Sequence, residues 1–129
     1  GDKMNLVATD DDVSEYLKEI KECIKKDKNN LKLQQNRQNN FEFMVEYNLN
    51  KNAIIDIINQ LELNDFIDKV ANRHEEYKDE VLYIFNKNYE LTNTNGNKKL
   101  VSIYIKFNYI NPKVILVSFH EAKYRFKEK

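Results

Sequence analysis

Tyr104, Lys106, His120 and Lys123, with Arg37 further upstream, are the residues of this sequence whose types suit chemistry on a phosphodiester. Over residues 100–108 the apolar Val101, Ile103, Ile105 and Phe107 alternate with Ser102, Tyr104, Lys106 and Asn108. That two-residue period is the mark of a strand with one buried face, so Tyr104 and Lys106 share the polar side. Ser118 and His120 share a face of the next strand, residues 114–120, which follows the turn Asn111-Pro112-Lys113. A turn this short makes the two strands antiparallel neighbours. A register that aligns their polar faces would gather Tyr104, Lys106 and His120 on one surface, with His120 within about 8 Å of Tyr104, a bound set by hydrogen-bond reach through one water.

Such a set suits RNA cleavage without a metal. A base removes the 2′-hydroxyl proton, the oxygen attacks the adjacent phosphorus, and an acid protonates the departing 5′-oxygen. Imidazole titrates near neutral pH and can fill either proton role; His120 is assigned as the acid. Arg37, Lys106 and Lys123 would neutralise charge building on the phosphoryl oxygens. Tyr104 would stack on a base, donate a hydrogen bond or move a proton. Each residue also has a plainer role: His120 as a capped surface residue, Tyr104 as a cross-strand packing residue, Lys106 as a solvated charge. The second histidine, in Asn72-Arg73-His74-Glu75-Glu76, reads as a surface loop residue. There is no Gly-rich phosphate loop, no His-x-x-x-His pair and no clustered Asp that reads as a metal site, so neither a cofactor nor a metal is expected.

The elements that must position these residues are legible from spacing. Asp10-Asp11-Asp12 precedes Val13, Tyr16, Leu17, Ile20 and Ile24, the spacing of an amphipathic helix that Asp11 or Asp12 would cap. Leu31-Lys32-Leu33-Gln34 alternates as a short edge strand. Asn39 or Asn40 would cap a second helix carrying Phe41, Met44 and Val45, with Phe43 a further candidate. Asn48 or Asn50 breaks and restarts the chain before a third helix with Ala53, Ile54, Ile57, Ile58 and Leu61. Asn64 would cap a short fourth helix holding Phe66, Ile67 and Val70, and residues 71–79 read as a charged loop. Residues 81–85 form a strand, Asn95-Gly96 signals a hairpin, and residues 114–120 are apolar on both faces, as in the central or the best-covered strand. Helices first and strands last predict an α+β fold, about four N-terminal helices packed on a C-terminal antiparallel sheet of three or four strands.

Composition bounds the rest. At 129 residues the chain is expected to be one domain, 1–129, with residues 1–12 a disordered or vector-derived start, since Gly1-Asp2-Lys3 precedes Met4. With 41% hydrophobic residues and no net charge it is not a disordered chain. No apolar run approaches the roughly 20 residues of a membrane helix, so no membrane partner is expected. The lone Cys23 excludes an internal disulfide and fits a reducing, cytoplasmic setting. Net charge zero hides an asymmetry: residues 98–129 carry net +6. That excess suits a phosphate-facing surface, or more plainly a solvated tail and protected strand edges. The 19 asparagines, against 2 glycines, can take over turn positions usually given to Gly.

The C-terminal run Val101-Ser102-Ile103-Tyr104-Ile105-Lys106-Phe107, followed by Val114-Ile115-Leu116-Val117-Ser118-Phe119-His120-Glu121-Ala122, resembles the MqsR-like toxins of bacterial toxin–antitoxin systems, a RelE-type group. Leu61-Glu62-Leu63-Asn64-Asp65-Phe66 is similar to that family's Leu-x-x-x-Asp-Phe junction, Tyr77-Lys78-Asp79-Glu80-Val81 to its lead into the first long strand, and Arg37-Gln38-Asn39-Asn40-Phe41 to an Arg-x-x-Asn segment of longer relatives. The resemblance spans roughly residues 13–124, and its specific part is C-terminal. It implies a RelE-like fold and a cytosolic endoribonuclease that cleaves mRNA. It also implies RNA and a cognate antitoxin as partners, with the ribosome left open. The family's strand Tyr falls on Tyr104, its Lys after Ser-Phe on His120, its Lys after Asp-Phe near Lys69, and its Gln on Lys78 or Asp79, neither of which is Gln. Lys69 thereby joins Lys106, Lys123 and Arg37 as an expected substrate-binding residue. The alternative carried by the same fold is a protein-interaction module without catalysis.

Overall fold

Thr9 starts the first helix. Its hydroxyl accepts from the Asp12 amide while the Asp12 carboxylate accepts from the Thr9 amide, a reciprocal cap that satisfies two otherwise unpaired donors. Helix α1, Asp10–Lys26, follows in a computed structural model that describes residues 7–34, 36–71 and 80–123. The helix thus begins inside the stretch expected to be disordered, and its cap is Thr9 rather than Asp11 or Asp12. Its buried stripe is the expected one, Val13, Tyr16, Leu17, Ile20 and Ile24. Gly1-Asp2-Lys3-Met4, residues 72–79 of the segment expected as a charged loop, with His74, Lys78 and Asp79, and Tyr124 and Arg125 lie outside the described residues.

A turn of 3₁₀-helix, Lys28–Asn30, leads into β1, Leu31–Leu33. Helices α2, Gln38–Glu46, and α3, Lys51–Asn59, come next. Between them Asn48 takes φ 49°, a left-handed position that Asn tolerates, and Asn50 caps α3 by accepting from the Ala53 amide at 2.8 Å. Helix α2 is rotated from the expected phase. Phe43, Met44 and Tyr47 are buried while Phe41 and Val45 remain 55% and 54% exposed. The Phe43 ring packs edge-on against Phe119, which fixes that rotation.

The segment expected as a fourth helix is strand β2, Phe66–Ala71, after a 3₁₀ turn at Leu63–Asp65. Six residues are too few to sustain an isolated helix, and pairing with β3 satisfies their backbone instead. Phe66 meanwhile packs on Tyr83 and Phe85. Strands β3, Val81–Thr92, β4, Lys98–Ile110, and β5, Lys113–Glu121, complete a five-stranded sheet of order β1-β5-β4-β3-β2. The sheet is larger than expected and mixed, because β1 runs parallel to β5 while the other neighbours are antiparallel. The central strand is β4, not β5. The β3–β4 hairpin turns at Gly96, φ 84°, as Asn-Gly signalled.

Among the described residues, three α-helices cover one face of this sheet. Phe85, Phe107 and Phe119, all fully buried there, each contribute about 1.5–3 kcal/mol of apolar burial. The opposite face carries no helix among the described residues, so Ile115 and Val117 of β5 stay half-buried. No described helix is long and apolar enough to cross a membrane.

Candidate functional site

The open face of the sheet is where the alternation of β4 sends its polar residues. Register places Asn86, Tyr104 and His120 side by side on β3, β4 and β5, with Ile84, Lys106 and Ser118 as the adjoining row. The His120 and Tyr104 rings stack, centroids 5.4 Å apart and planes 23° apart. The Lys106 ammonium lies 5.9 Å from the Tyr104 ring centre, within reach of its negative face.

This juxtaposition depends on an irregularity in β5. Lys106 pairs with Ser118 but its neighbour Phe107 pairs with Leu116, so Val117 is an extra residue, a β-bulge. Without the bulge, strict alternation would set Phe119 opposite Tyr104 and turn His120 to the helical face. Two side chains from the start of α2 hold the bulge. Arg37 donates from a guanidinium nitrogen to the Val117 carbonyl at 3.2 Å and to the Ser118 hydroxyl at 3.5 Å. Asn40, 1% exposed, donates to the Gln34 and Val117 carbonyls and accepts from the Phe119 amide, each at 3.0 Å.

Asn40 corrects the expectation of a helix cap. Helix α2 begins at Gln38 after Arg37, which makes no side-chain cap, and Asn40 turns to the sheet instead. Spacing carries a signal for this role: Asn40, Phe43, Met44 and Tyr47 follow the i, i+3, i+4, i+7 positions of one helical face. A polar residue on an otherwise apolar, buried face must find internal partners.

Arg37, Tyr104 and Lys106 line a groove of about 970 Å³, whose other walls include Ile84, Asn108, Ile115 and Val117. His120 is not part of that groove's lining; it stacks on Tyr104 and lines a separate depression of about 380 Å³ with Lys123, Glu42 and Glu46. The structure sets Tyr104, Lys106 and His120 on one face, brings in Arg37, whose place residue spacing left open, and puts Lys123 beyond His120. Lys69 is not among them. It sits on β2 opposite Tyr83, its ammonium 5.7 Å from that ring, on the face that carries α1. A segment read as a helix places a Lys by helical period; as an edge strand, alternation sends it to the far side of the sheet.

The chemistry available follows from this geometry. His120 Nδ1 lies 2.9 Å from the Glu121 carbonyl oxygen. A carbonyl can only accept, so Nδ1 carries a proton; Nε2 is then an acceptor in the neutral ring and a donor in the imidazolium. Burial pushes the Tyr104 phenol above its usual value; the Arg37 charge opposes that shift and Asp68 adds to it. At neutral pH Tyr104 is therefore a donor and a stacking surface, not a base. Among the described residues no three His, Cys, Asp or Glu side chains gather as a metal site would need. Searches of protein-family models, curated proteins and solved structures found nothing that matches this chain.

Proposed function

We propose that this chain is a metal-independent endoribonuclease acting on mRNA, the toxin half of a toxin–antitoxin pair working in the cytoplasm and restrained by a cognate antitoxin protein. The observation that carries the reading is the His120–Tyr104 stack beside Lys106, with Arg37 in the same open groove. A single strand lying on this face meets two cations for its phosphates and an aromatic surface for a base. His120, as the imidazolium with its Nδ1 proton held by the Glu121 carbonyl, gives its Nε2 proton to the departing 5′-oxygen and is left as the neutral Nδ1–H ring, while the 2′-hydroxyl proton passes to water. Tyr104 donates from its phenol toward the phosphoryl group or stacks on a base. Lys123 adds positive charge on the far side of His120. Lys69, on the other face, takes no part.

A protein-interaction module on the same fold is the second reading. The aliphatic wall of the groove, Ile84, Ile110, Ile115 and Val117, is what favours it, since apolar surface of that kind fits a partner's side chains better than a phosphate chain.

The test is incubation of purified protein with single-stranded RNA in a chelator, beside His120→Ala and Tyr104→Phe. Chelator-resistant cleavage by the wild type, abolished in His120→Ala, is expected. Intact RNA with folded wild-type protein would leave the interaction module. Induction of the gene in bacteria supplies the companion measurement: growth arrest with fragmented RNA, relieved by His120→Ala.

A further inference from the structure

The geometry points to Asn40 as the positioning residue of this site: by pinning the β5 bulge it decides that His120, rather than Phe119, faces Tyr104. Its use in RNA cleavage rests on the function proposed above; its structural effect does not. Every hydrogen-bonding group of the Asn40 amide is used. The two Nδ2 hydrogens go to Gln34, just past the end of β1, and to Val117, the bulged residue, while Oδ1 takes the Phe119 amide. An extra residue in a ladder leaves backbone groups without their cross-strand partners. Asn40 supplies partners to a donor and an acceptor on either side of Ser118, and it does so from a fully buried position where water cannot substitute. Arg37 reinforces the same carbonyl from the solvent side.

The alternative pairing is near at hand. A regular ladder through Val117 would restore all cross-strand bonds and would set Lys106 against Val117, Tyr104 against Phe119 and Ile103 against His120. Two things oppose it: Phe119 would leave the core, where it meets Phe43, and the Asn40 hydrogen bonds would break. Asn40 therefore biases a choice between two registers that differ in which residue meets Tyr104. It touches neither reacting atoms nor RNA; it acts through the strand.

The experiment reads geometry and catalysis separately. Asn40→Leu keeps the branched shape, with added volume, and removes all three hydrogen bonds. In this variant, if folded by circular dichroism, the nuclear Overhauser effects between the Tyr104 and His120 rings should disappear, and RNA cleavage should fall at least tenfold. Deleting Val117 removes the bulge while leaving Ser118, Phe119 and His120 on their present faces. The deletion variant should keep the inter-ring Overhauser effects, and adding Asn40→Leu to it should no longer abolish them. Inter-ring effects that persist in folded Asn40→Leu overturn the inference whatever happens to cleavage. Their absence from the folded double variant overturns it as well. Should Asn40→Leu alone fail to fold, a folded double variant that retains the inter-ring effects supports the inference; if the double also fails while the deletion alone folds, Asn40 serves the fold at large and the inference is wrong. Wild-type protein that shows the inter-ring effects but cuts no RNA would refute the proposed function and leave the positioning role standing.

Discussion

The ring of His120 stacks on that of Tyr104, 5.4 Å between centroids, because β5 carries one residue more than β4 requires at Val117. That single extra residue converts an apolar strand ending into a polar constellation with Lys106 and Arg37 alongside. The make-up of this face is thus tied to strand register as well as to residue identity.

Proton transfer and stacking should separate by mutation. His120→Ala should lower RNA cleavage by about 100-fold or more, the usual weight of a general acid, with little change in RNA affinity. Tyr104→Phe keeps the ring and should keep binding while reducing turnover; Tyr104→Ala should weaken binding by about 1–3 kcal/mol if a base stacks there. Single-turnover rates and fluorescence titration, run side by side, check this. Full activity in both His120→Ala and Tyr104→Phe would remove their assigned roles.

Salt dependence separates the two faces of the sheet. Arg37→Ala and Lys106→Ala should each flatten the plot of log affinity against log salt by about 0.7, one phosphate contact on a single strand. Lys69→Ala, on the helical face over Tyr83, should leave slope and affinity unchanged. A slope that drops for Lys69→Ala would place RNA on the other side of the molecule.

The tyrosine cluster behind the sheet predicts an alkaline weakness. Tyr16 stacks on Tyr83 at 3.7 Å and meets Tyr109 edge-on, and its buried hydroxyl has no hydrogen-bond partner among the described residues. Burial raises the phenol of Tyr16, and also those of Tyr83 and Tyr109, above the ordinary value. Below pH about 10 these phenols are protonated in folded and unfolded chains alike, and stability is full. Above it the unfolded chain ionises first, so stability falls as pH rises. Tyr16→Phe removes one such group and one unsatisfied hydroxyl. It should raise stability by about 1 kcal/mol at pH 7 and by more at pH 11, read from urea melts at both values. A drop in stability at pH 7 would mean the hydroxyl has a partner in solution.

Turn chemistry gives the simplest stability test. Gly96 at φ 84° has open space where a Cβ would lie, so Gly96→Ala should cost about 1 kcal/mol from backbone strain alone. Asn48, at φ 49°, should accept Gly at little cost but destabilise by a similar amount on replacement by Val. Denaturant midpoints shifting at constant slope would confirm it; no shift for Gly96→Ala would mean the hairpin relaxes.

Much of this protein is determined by local sequence. The α1 stripe, the break at Asn48 or Asn50 before α3, the Asn95-Gly96 hairpin and the alternation of β4 all arise from interactions within a turn or a strand, so residue spacing reveals them. So does the sharing of one face by Tyr104 and Lys106. What tertiary structure decided is whatever depends on partners distant in the chain. Phe66–Ala71 became a strand because β3 offered it a ladder and an aromatic patch, and that choice sent Lys69 to the face opposite that of Tyr104. β1 joined β5 in parallel, a pairing no local pattern announces. The bulge at Val117, which turns His120 toward Tyr104, is held by Asn40 and Arg37 from some 80 residues upstream. Alternation is a property of each strand alone, but which residues stand opposite one another is a property of the pair, and here it was fixed by an amide on a third element.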